Sequence, residues 1–249
     1  NIGENETEIN SIIYDFDLPT EFPSDVKEET NMLNEIISEK EIKKRKDLRS
    51  LDSFTIDPDD AKDFDDALSV EKENDNIIIG IHIADVSHYF NVRTDINKEA
   101  EKRATSVYLV DRTIPMLPEK LSNDLCSLKP NVDRLTYSVI IKFDSNLSII
   151  DYWIGRTVIH SKKRFTYDEA QESINNKDGL FHEKLNILNN IAKNIRAKRF
   201  KSGSFNFSSN EIKFRLDKEK KPIEVFRKKR KDTHKMVEEY MLLANKLVA

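Results

Sequence analysis

Thr55-Ile-Asp-Pro-Asp-Asp-Ala-Lys-Asp-Phe-Asp-Asp-Ala-Leu68 is the stretch around which the rest of the chain is organised. Six of its fourteen residues are aspartates: Asp57, Asp59, Asp60, Asp63, Asp65 and Asp66. Carboxylates this dense repel one another and become favourable together when divalent cations neutralise them. Hard cations such as Mg²⁺ take oxygen ligands, usually one or two carboxylates each, with water and substrate phosphates completing the shell. Two such ions about 4 Å apart are a common device for phosphodiester chemistry. Pro58 biases Asp57 toward extended backbone. If Asp63 and Asp65 lie on an extended segment, their side chains share a side, and Asp66 points across unless the chain turns there. Phe54, Ile56, Phe64, Ala67 and Leu68 flank the acids and suit a partly buried segment better than a solvated acidic loop. A helix-loop-helix calcium site does not fit, because Lys62 stands where that loop needs Gly and Leu68 where it needs Glu. A catalytic metal site is the expectation. Asp59 and Asp60 read as exposed loop acids.

The 249 residues are 38% hydrophobic and 35% charged, with a formal net charge of −4, which is the composition of one large or two small globular domains. No run approaches the length of a membrane span. No basic-then-apolar leader opens the chain, so the cytoplasm is the expected compartment. A single cysteine, Cys126, excludes an internal disulfide and a cysteine-built metal site, and reads as a small core residue. The chain starts on Asn rather than Met, and its last helix lacks a stop signal, so a piece of a longer protein is expected. The net charge hides a segregation. Acid gathers at 57–66 and in the first fifty residues; base gathers at 40–49, 162–164, 193–201 and 227–231. An acidic pocket at the end of a basic track suits a nuclease acting on a single strand.

Along the chain, residues 1–23 read as linker, with Tyr14, Phe16, Leu18 and Phe22 able to dock on a neighbour. Asp25 and Glu28 fit a capping box opening a helix with the stripe Met32, Leu33, Ile36 and Ile37. Residues 39–49 suit a solvated helix or exposed connector. Strands follow over 51–90. Residues 77–84 are apolar on both faces, as in a central strand, after turn chemistry at 74–76. His82, Asp85 and His88 read as satisfied core residues rather than a zinc triad. A short helix is expected at 96–106, an ordered loop with helical turns at 113–130, and an antiparallel set of strands at 135–143 and 148–160. Phe165-Thr-Tyr167 leads into a helix, and an amphipathic helix over 183–200 ends at Gly203. Strands are expected within 204–216 and 222–226, then a helix from Asp232 with the stripe Val237, Tyr240, Met241, Ala244 and Val248. The fold class is α+β: a mixed or antiparallel sheet core with flanking helices.

Asp57, Asp63, Asp65 and Asp66, in the frame Thr-Ile-Asp-(five residues)-Asp-Phe-Asp-Asp-Ala, resemble the signature of the ribonuclease II / ribonuclease R family of processive 3′-to-5′ exoribonucleases. Other stretches resemble it in the same order: Gly80-Ile-His-Ile-Ala-Asp-Val-Ser-His88, Arg103-Ala-Thr-Ser-Val-Tyr108, Ile114-Pro-Met-Leu-Pro-Glu-Lys-Leu-Ser-Asn123 and Glu238-Glu-Tyr-Met-Leu-Leu-Ala-Asn245. The resemblance implies an RNB-type catalytic domain, here incomplete, over 51–249, with 1–50 as the connector before it. It implies Mg²⁺, with Mn²⁺ an alternative, held by the four aspartates, with Asp65 and Asp66 catalytic and Asp65 the more critical. The implied substrate is single-stranded RNA, hydrolysed to 5′-nucleoside monophosphates by a monomer. Tyr108, and with a weaker case Tyr167, would stack on bases. Either Glu238 or Glu239 would meet the terminal sugar, and Asn245 shares a helix face with Glu238. Arg103 and Arg112 are candidates for phosphate contact, beside the plainer reading of structural arginines. The basic run 227–231 is a solvated loop or part of an RNA track. The family's later arginine-bearing phosphate motif would lie beyond Ala249, so phosphate stabilisation by this piece is expected to be incomplete. The rival readings are a non-catalytic RNA-binding relative and a metal-stabilised structural module.

Overall fold

A computed structural model of the chain describes residues 5–205, 212–217, 222–227 and 229–249. In chain order the elements begin with α1 (Asn5–Asp15), α2 (Ser24–Asn31), α3 (Glu39–Ile42), β1 (Lys46–Asp47), β2 (Ser53–Asp57), β3 (Asp66–Glu73) and β4 (Asn76–Ala84). They continue with α4 (Asp95–Arg103), β5 (Val107–Tyr108), β6 (Thr113–Ile114), a π-helical turn (Lys120–Leu125), β7 (Asp133–Phe143) and β8 (Ile149–Thr166). The last are α5 (Tyr167–Asn175), α6 (His182–Lys201), β9 (Ile212–Leu216), β10 (Pro222–Arg227) and α7 (Asp232–Val248). Two compact units share this chain: residues 1–34, 87–122 and 207–229, and residues 35–86, 123–206 and 230–249.

The second unit is built on one sheet in the order β1-β8-β2-β3-β4-β7, with β8 also paired to β7. The 18 residues of β8 allow this sharing. Its earlier part runs antiparallel to β7, from Phe143↔Ile149 to Asp133↔His160. Its last part runs parallel to β2, from Ser53↔Ser161 to Asp57↔Thr166. The pairing therefore closes through β8, β2, β3, β4 and β7. The 135–160 strands are antiparallel as expected, but β8 meets both β1 and β2 in parallel, because the strand runs on past His160.

Strand alternation sorts the side chains onto two faces. Phe54, Ile56, Leu68, Val70, Ile79, Ile81, Val139, Ile141 and Phe165 form one core with Leu185, Leu188 and Ile191 of α6 and Met236, Val237 and Tyr240 of α7. Phe54 lies edge-on to Phe165 and stacks on Phe181, with centroids 5.7 and 5.5 Å away. The opposite face carries small buried polar residues: Ser53, Thr55, Ser69, Ser138 and Thr157, with His82 among them. His82 Nε2 lies 2.9 Å from Ser69 Oγ and Nδ1 lies 2.8 Å from Ser138 Oγ. Burial pushes its pKa down to about 3, so it is a neutral core histidine. Position 80 must be glycine, since a Cβ there would stand 2.4 Å from Ser69 Oγ and 2.6 Å from His82 Nε2.

Several local expectations are corrected. A helix, α1, forms at Asn5–Asp15 in the segment read as linker, with Ile9 buried. In α2 the Asp25 carboxylate accepts from its own neighbour, Val26 N, at 3.0 Å, and no side chain caps the helix. The stripe expected to continue it stops at Asn31, and Met32 and Ile36 are exposed. Residues 39–49 are not a solvated helix. After four residues of α3, Arg45 is buried 2.8 Å from Asp85 and 2.9 Å from Glu41, and this pair draws the segment onto β8. Helix α4 ends at Arg103, because Ala104 takes φ 62°. Of the strands expected within 204–216, β9 is seen and 206–211 lie outside the described residues.

The first unit holds α2 against α4 and contains the β5–β6 and β9–β10 hairpins. The second depends most on its sheet–helix core. Phe54→Ala should lower unfolding free energy by about 3–5 kcal/mol, read as a fall in the urea midpoint at unchanged slope.

Candidate active site

β2 and β3 are antiparallel, paired at Ser53↔Ser69 and Phe54↔Leu68. The end of β2, Asp57, and the start of β3, Asp66, therefore lie side by side. Residues 58–65 connect them as a loop, so strand parity does not govern Asp63 and Asp65, and the turn brings Asp66 toward Asp57. The loop is tied down on several sides. The Arg164 guanidinium donates to the carbonyls of Pro58 and Asp59 and lies 5.5 Å from the Phe64 ring centroid. Ser127 Oγ donates to Lys62 O at 2.8 Å and accepts from Phe64 N at 3.1 Å. Leu128 N donates to Phe64 O at 2.8 Å, and Ala84 N to Asp65 O at 3.0 Å. Neither Arg164 nor Ser127 was picked out by sequence reasoning. Arg164 was seen only as part of a basic run, and nothing near Ser127 marks a partner 65 residues away.

Asp57 is buried at 7% exposure, Asp63 and Asp66 are half-buried, and Asp65 is open to solvent. Burial raises the Asp57 pKa to about 6; the Thr55 hydroxyl beside it and Arg164 oppose the rise, and Asp65 and Asp63 add to it. Crowding by protein, then Asp63, lifts Asp65 to about 6. Burial, then Asp57 and Asp65, lifts Asp66 to about 7. All four expected ligands therefore lie in one another's electrostatic field.

Their fit to a divalent cation rests on chemistry. The donors are all oxygen, as Mg²⁺ and Mn²⁺ require. Asp57 Oδ2 is sealed from solvent with no hydrogen-bond partner among the described residues. Among those residues no three carboxylates, imidazoles or thiols stand at the spacing of one coordination shell. A bound ion would thus take one or two of these carboxylates directly, with water and phosphate for the remainder, as Mg²⁺ commonly does.

Tyr167 follows Thr166, the partner of Asp57 in the sheet. It is half-buried, and burial with Asp66 and Asp57 raises its pKa to about 12. Its ring stacks on His234 of α7 at 4.0 Å. One turn along the same face stands Glu238, half-buried and paired with Arg230; Leu242 and Asn245 continue the face, both exposed. Glu239 points elsewhere. It is 1% exposed and held by Arg196 at 2.9 Å and Arg199 at 2.6 Å, so of the two glutamates only Glu238 faces along the Tyr167 stripe.

In the first unit, Arg103 has the environment of the structural arginine that was one of its two readings. It is buried, donates to Glu99 and to the carbonyls of Pro19, Glu21 and Pro115, and covers the Phe22 ring at 3.7 Å. Arg112 pairs with Asp111 at 2.8 Å at the tip of the β5–β6 hairpin. Tyr108, on β5, is 66% exposed. Several charges of the expected basic track are paired: Arg49 with Asp47 and Asp133, Lys193 with Asp232, Arg196 and Arg199 with Glu239. Within the run 227–231, Lys228 lies outside the described residues.

The sequence profile of the RNB domain matches residues 45–249. The chain belongs to the RNB domain family. Proteins named Ribonuclease R resemble it: that of Chlamydia pneumoniae is 41% identical over 98% of this chain and 36% of its own length, and that of Thermotoga maritima 40% over 97% and 35%. This RNB domain thus spans little more than a third of those curated relatives. Mycoplasma genitalium RNase R in complex with ribose-methylated single-stranded RNA superposes with a TM-score of 0.92 at 32% identity, covering 100% of this chain and 40% of that one. Its complex with double-stranded RNA gives 0.93 at 32%, covering 100% and 45%. Yeast Ssd1, described as a pseudonuclease, has the same fold with a TM-score of 0.77 over 100% of this chain and 32% of its own, at 20% identity.

The raised carboxylates set the pH response of the metal-free RNB domain. Between the ordinary value of 3.8 and about 7, the folded chain holds protons that the unfolded chain has released. Stability therefore falls as pH rises through that window and returns on acidification. Thermal melts in EDTA should show a larger gain between pH 7.5 and 5.5 for the wild type than for Asp57→Asn. Added Mg²⁺ should raise the wild-type Tm at pH 7.5 but not at pH 5.5.

Proposed function

We propose that this chain supplies the acidic centre of a Mg²⁺-dependent, processive 3′-to-5′ exoribonuclease that hydrolyses single-stranded RNA to 5′-nucleoside monophosphates. The carrying observation is the group Asp57, Asp63, Asp65 and Asp66 around one loop, with raised pKa values on Asp57, Asp65 and Asp66 and a buried oxygen on Asp57. The fold alone would not carry it, since yeast Ssd1, described as a pseudonuclease, shares it. The relatives named Ribonuclease R and the single-stranded RNA complex of one of them support the substrate class.

Mg²⁺, or Mn²⁺ in its place, would neutralise the carboxylates, activate water and stabilise the leaving 3′-oxygen. Asp65 and Asp66 stand nearest the chemistry in this reading, and Asp57 and Asp63 complete the anionic pocket. Tyr167 presents a ring beside these acids for a terminal base, a contact that contributes about 1–3 kcal/mol without regard to sequence. Glu238, further along the α7 face, would meet the terminal sugar, with Asn245 beyond it on the same face as a second RNA contact. Tyr108 offers a second, exposed ring for stacking. The enzyme would act as a monomer in the cytoplasm, the compartment that suits one free, buried thiol.

In the intact protein, Asp65→Asn should cut RNA hydrolysis by about 100-fold or more, the several kcal/mol that metal assistance is worth, while RNA binding persists. Hydrolysis at the wild-type rate would reject the assignment. RNA binding by the wild type with no product at any Mg²⁺ or Mn²⁺ concentration would favour a non-catalytic relative. Tyr167→Ala should weaken single-stranded RNA binding by roughly 5- to 150-fold, the equivalent of the stacking energy, measured by fluorescence anisotropy in EDTA.

A further inference from the structure

One side-chain oxygen holds the backbone on both sides of Asp63. Ser127 Oγ donates to Lys62 O at 2.8 Å and accepts from Phe64 N at 3.1 Å. Those two groups belong to the successive peptide units that meet at Asp63. Each unit is planar, so pinning both leaves the φ and ψ of Asp63 little freedom and sets where its side chain leaves the backbone. The next two units are held from outside the loop as well. Leu128 N donates to Phe64 O at 2.8 Å, and Ala84 N to Asp65 O at 3.0 Å. Consecutive peptide units from 62–63 to 65–66 are therefore each anchored, and the Ser127 hydroxyl alone anchors the first two.

Ser127 is itself held in place. It is wholly buried. Its N–H donates to Asp124 O at 3.1 Å, and its carbonyl accepts from Arg134 Nε at 2.9 Å. Arg134 is buried too and reaches Asp124 Oδ1 at 3.3 Å. A hydroxyl has one proton to donate, and here it goes to Lys62 O. We propose that Ser127 is a positioning residue for the acidic centre. By fixing the backbone at Asp63 it sets that carboxylate for a divalent cation before the cation arrives. A seat built in advance loses less conformational freedom on binding than one the ion must assemble. The inference rests on the metal-binding reading above. Ser127 touches neither substrate nor reacting atoms, because its oxygen is occupied by backbone.

The test uses the intact protein without RNA and takes two readings. Loss of the free-ion electron paramagnetic resonance signal counts bound Mn²⁺, and amide hydrogen exchange in EDTA follows the Phe64 N–H. Ser127→Ala removes both hydrogen bonds with little loss of volume. It should weaken Mn²⁺ binding by about 10- to 100-fold, the usual effect of losing a group that orients a ligand, and speed exchange at Phe64. Tyr240→Phe is the control for general loosening. It removes a buried hydrogen bond from the helix packing, Tyr240 Oη to Leu188 O at 2.8 Å, and should lower stability while leaving Mn²⁺ affinity and Phe64 exchange at wild-type values. Wild-type Mn²⁺ affinity in Ser127→Ala would overturn the role of Ser127, even with a lowered melting point, and so would unchanged exchange at Phe64. An equal loss of Mn²⁺ affinity in Tyr240→Phe would also overturn it, since weakened folding would then be the cause. If Ser127→Ala does not fold, Ser127→Cys decides. The thiol keeps the bulk but bonds weakly, so wild-type Mn²⁺ affinity there rejects the role. A wild type that binds no Mn²⁺ would bring down the metal-binding reading itself, and the role of Ser127 with it.

Discussion

Mutual repulsion among four carboxylates is the constraint to which this part of the molecule answers. Asp57 and Asp66 sit at adjacent ends of antiparallel strands, and Asp63 and Asp65 in the loop that joins them. Left alone, such a loop would swing its acids into water. Here Arg164 grips its first two carbonyls, Ser127 and Leu128 hold Lys62 and Phe64, and Ala84 holds Asp65. The loop is thus fixed largely through its backbone carbonyls and amides. The cost of burying them, and then of crowding them, appears as pKa values raised to about 6 for Asp57 and Asp65 and about 7 for Asp66. A bound cation would relieve that cost, which would link the rigidity of the loop to the chemistry proposed for it.

The sheet makes the arrangement possible by keeping two kinds of interior apart. Its apolar face packs on α6 and α7 and carries the main hydrophobic stabilisation. Its polar face is filled by small hydroxyls around a neutral His82, with glycine at 80 making room for the ring. Asp57 ends the strand on this polar side, where an ionisable oxygen can be buried beside hydroxyls rather than hydrocarbon. Buried charges elsewhere are matched in place: Arg45 with Asp85 and Glu41, Glu239 with Arg196 and Arg199.

Much of this was legible from residue order. The alternation at 77–84, the β7 pattern, the amphipathic α6 and the start of α7 follow from periodicity, since those elements bury a face against one core. The four aspartates were legible because acids this dense among apolar neighbours point to a shared role. Long-range pairing was not. Arg196 and Arg199 read as outward-facing cations, but their partner Glu239 lies 43 and 40 residues away and takes their charge inward. Glu238 and Glu239 are adjacent, and only the packing of α7 on α6 separates the one facing Tyr167 from the one locked in an ion pair.

The central claim is that the four aspartates act together as one seat for divalent metal. Anomalous diffraction from crystals of the intact protein grown with Mn²⁺ tests it most directly. The account predicts a manganese peak within coordination distance of one or two of Asp57, Asp63, Asp65 and Asp66. Manganese absent from this pocket at saturating concentration, with the carboxylates turned outward to solvent, would contradict it.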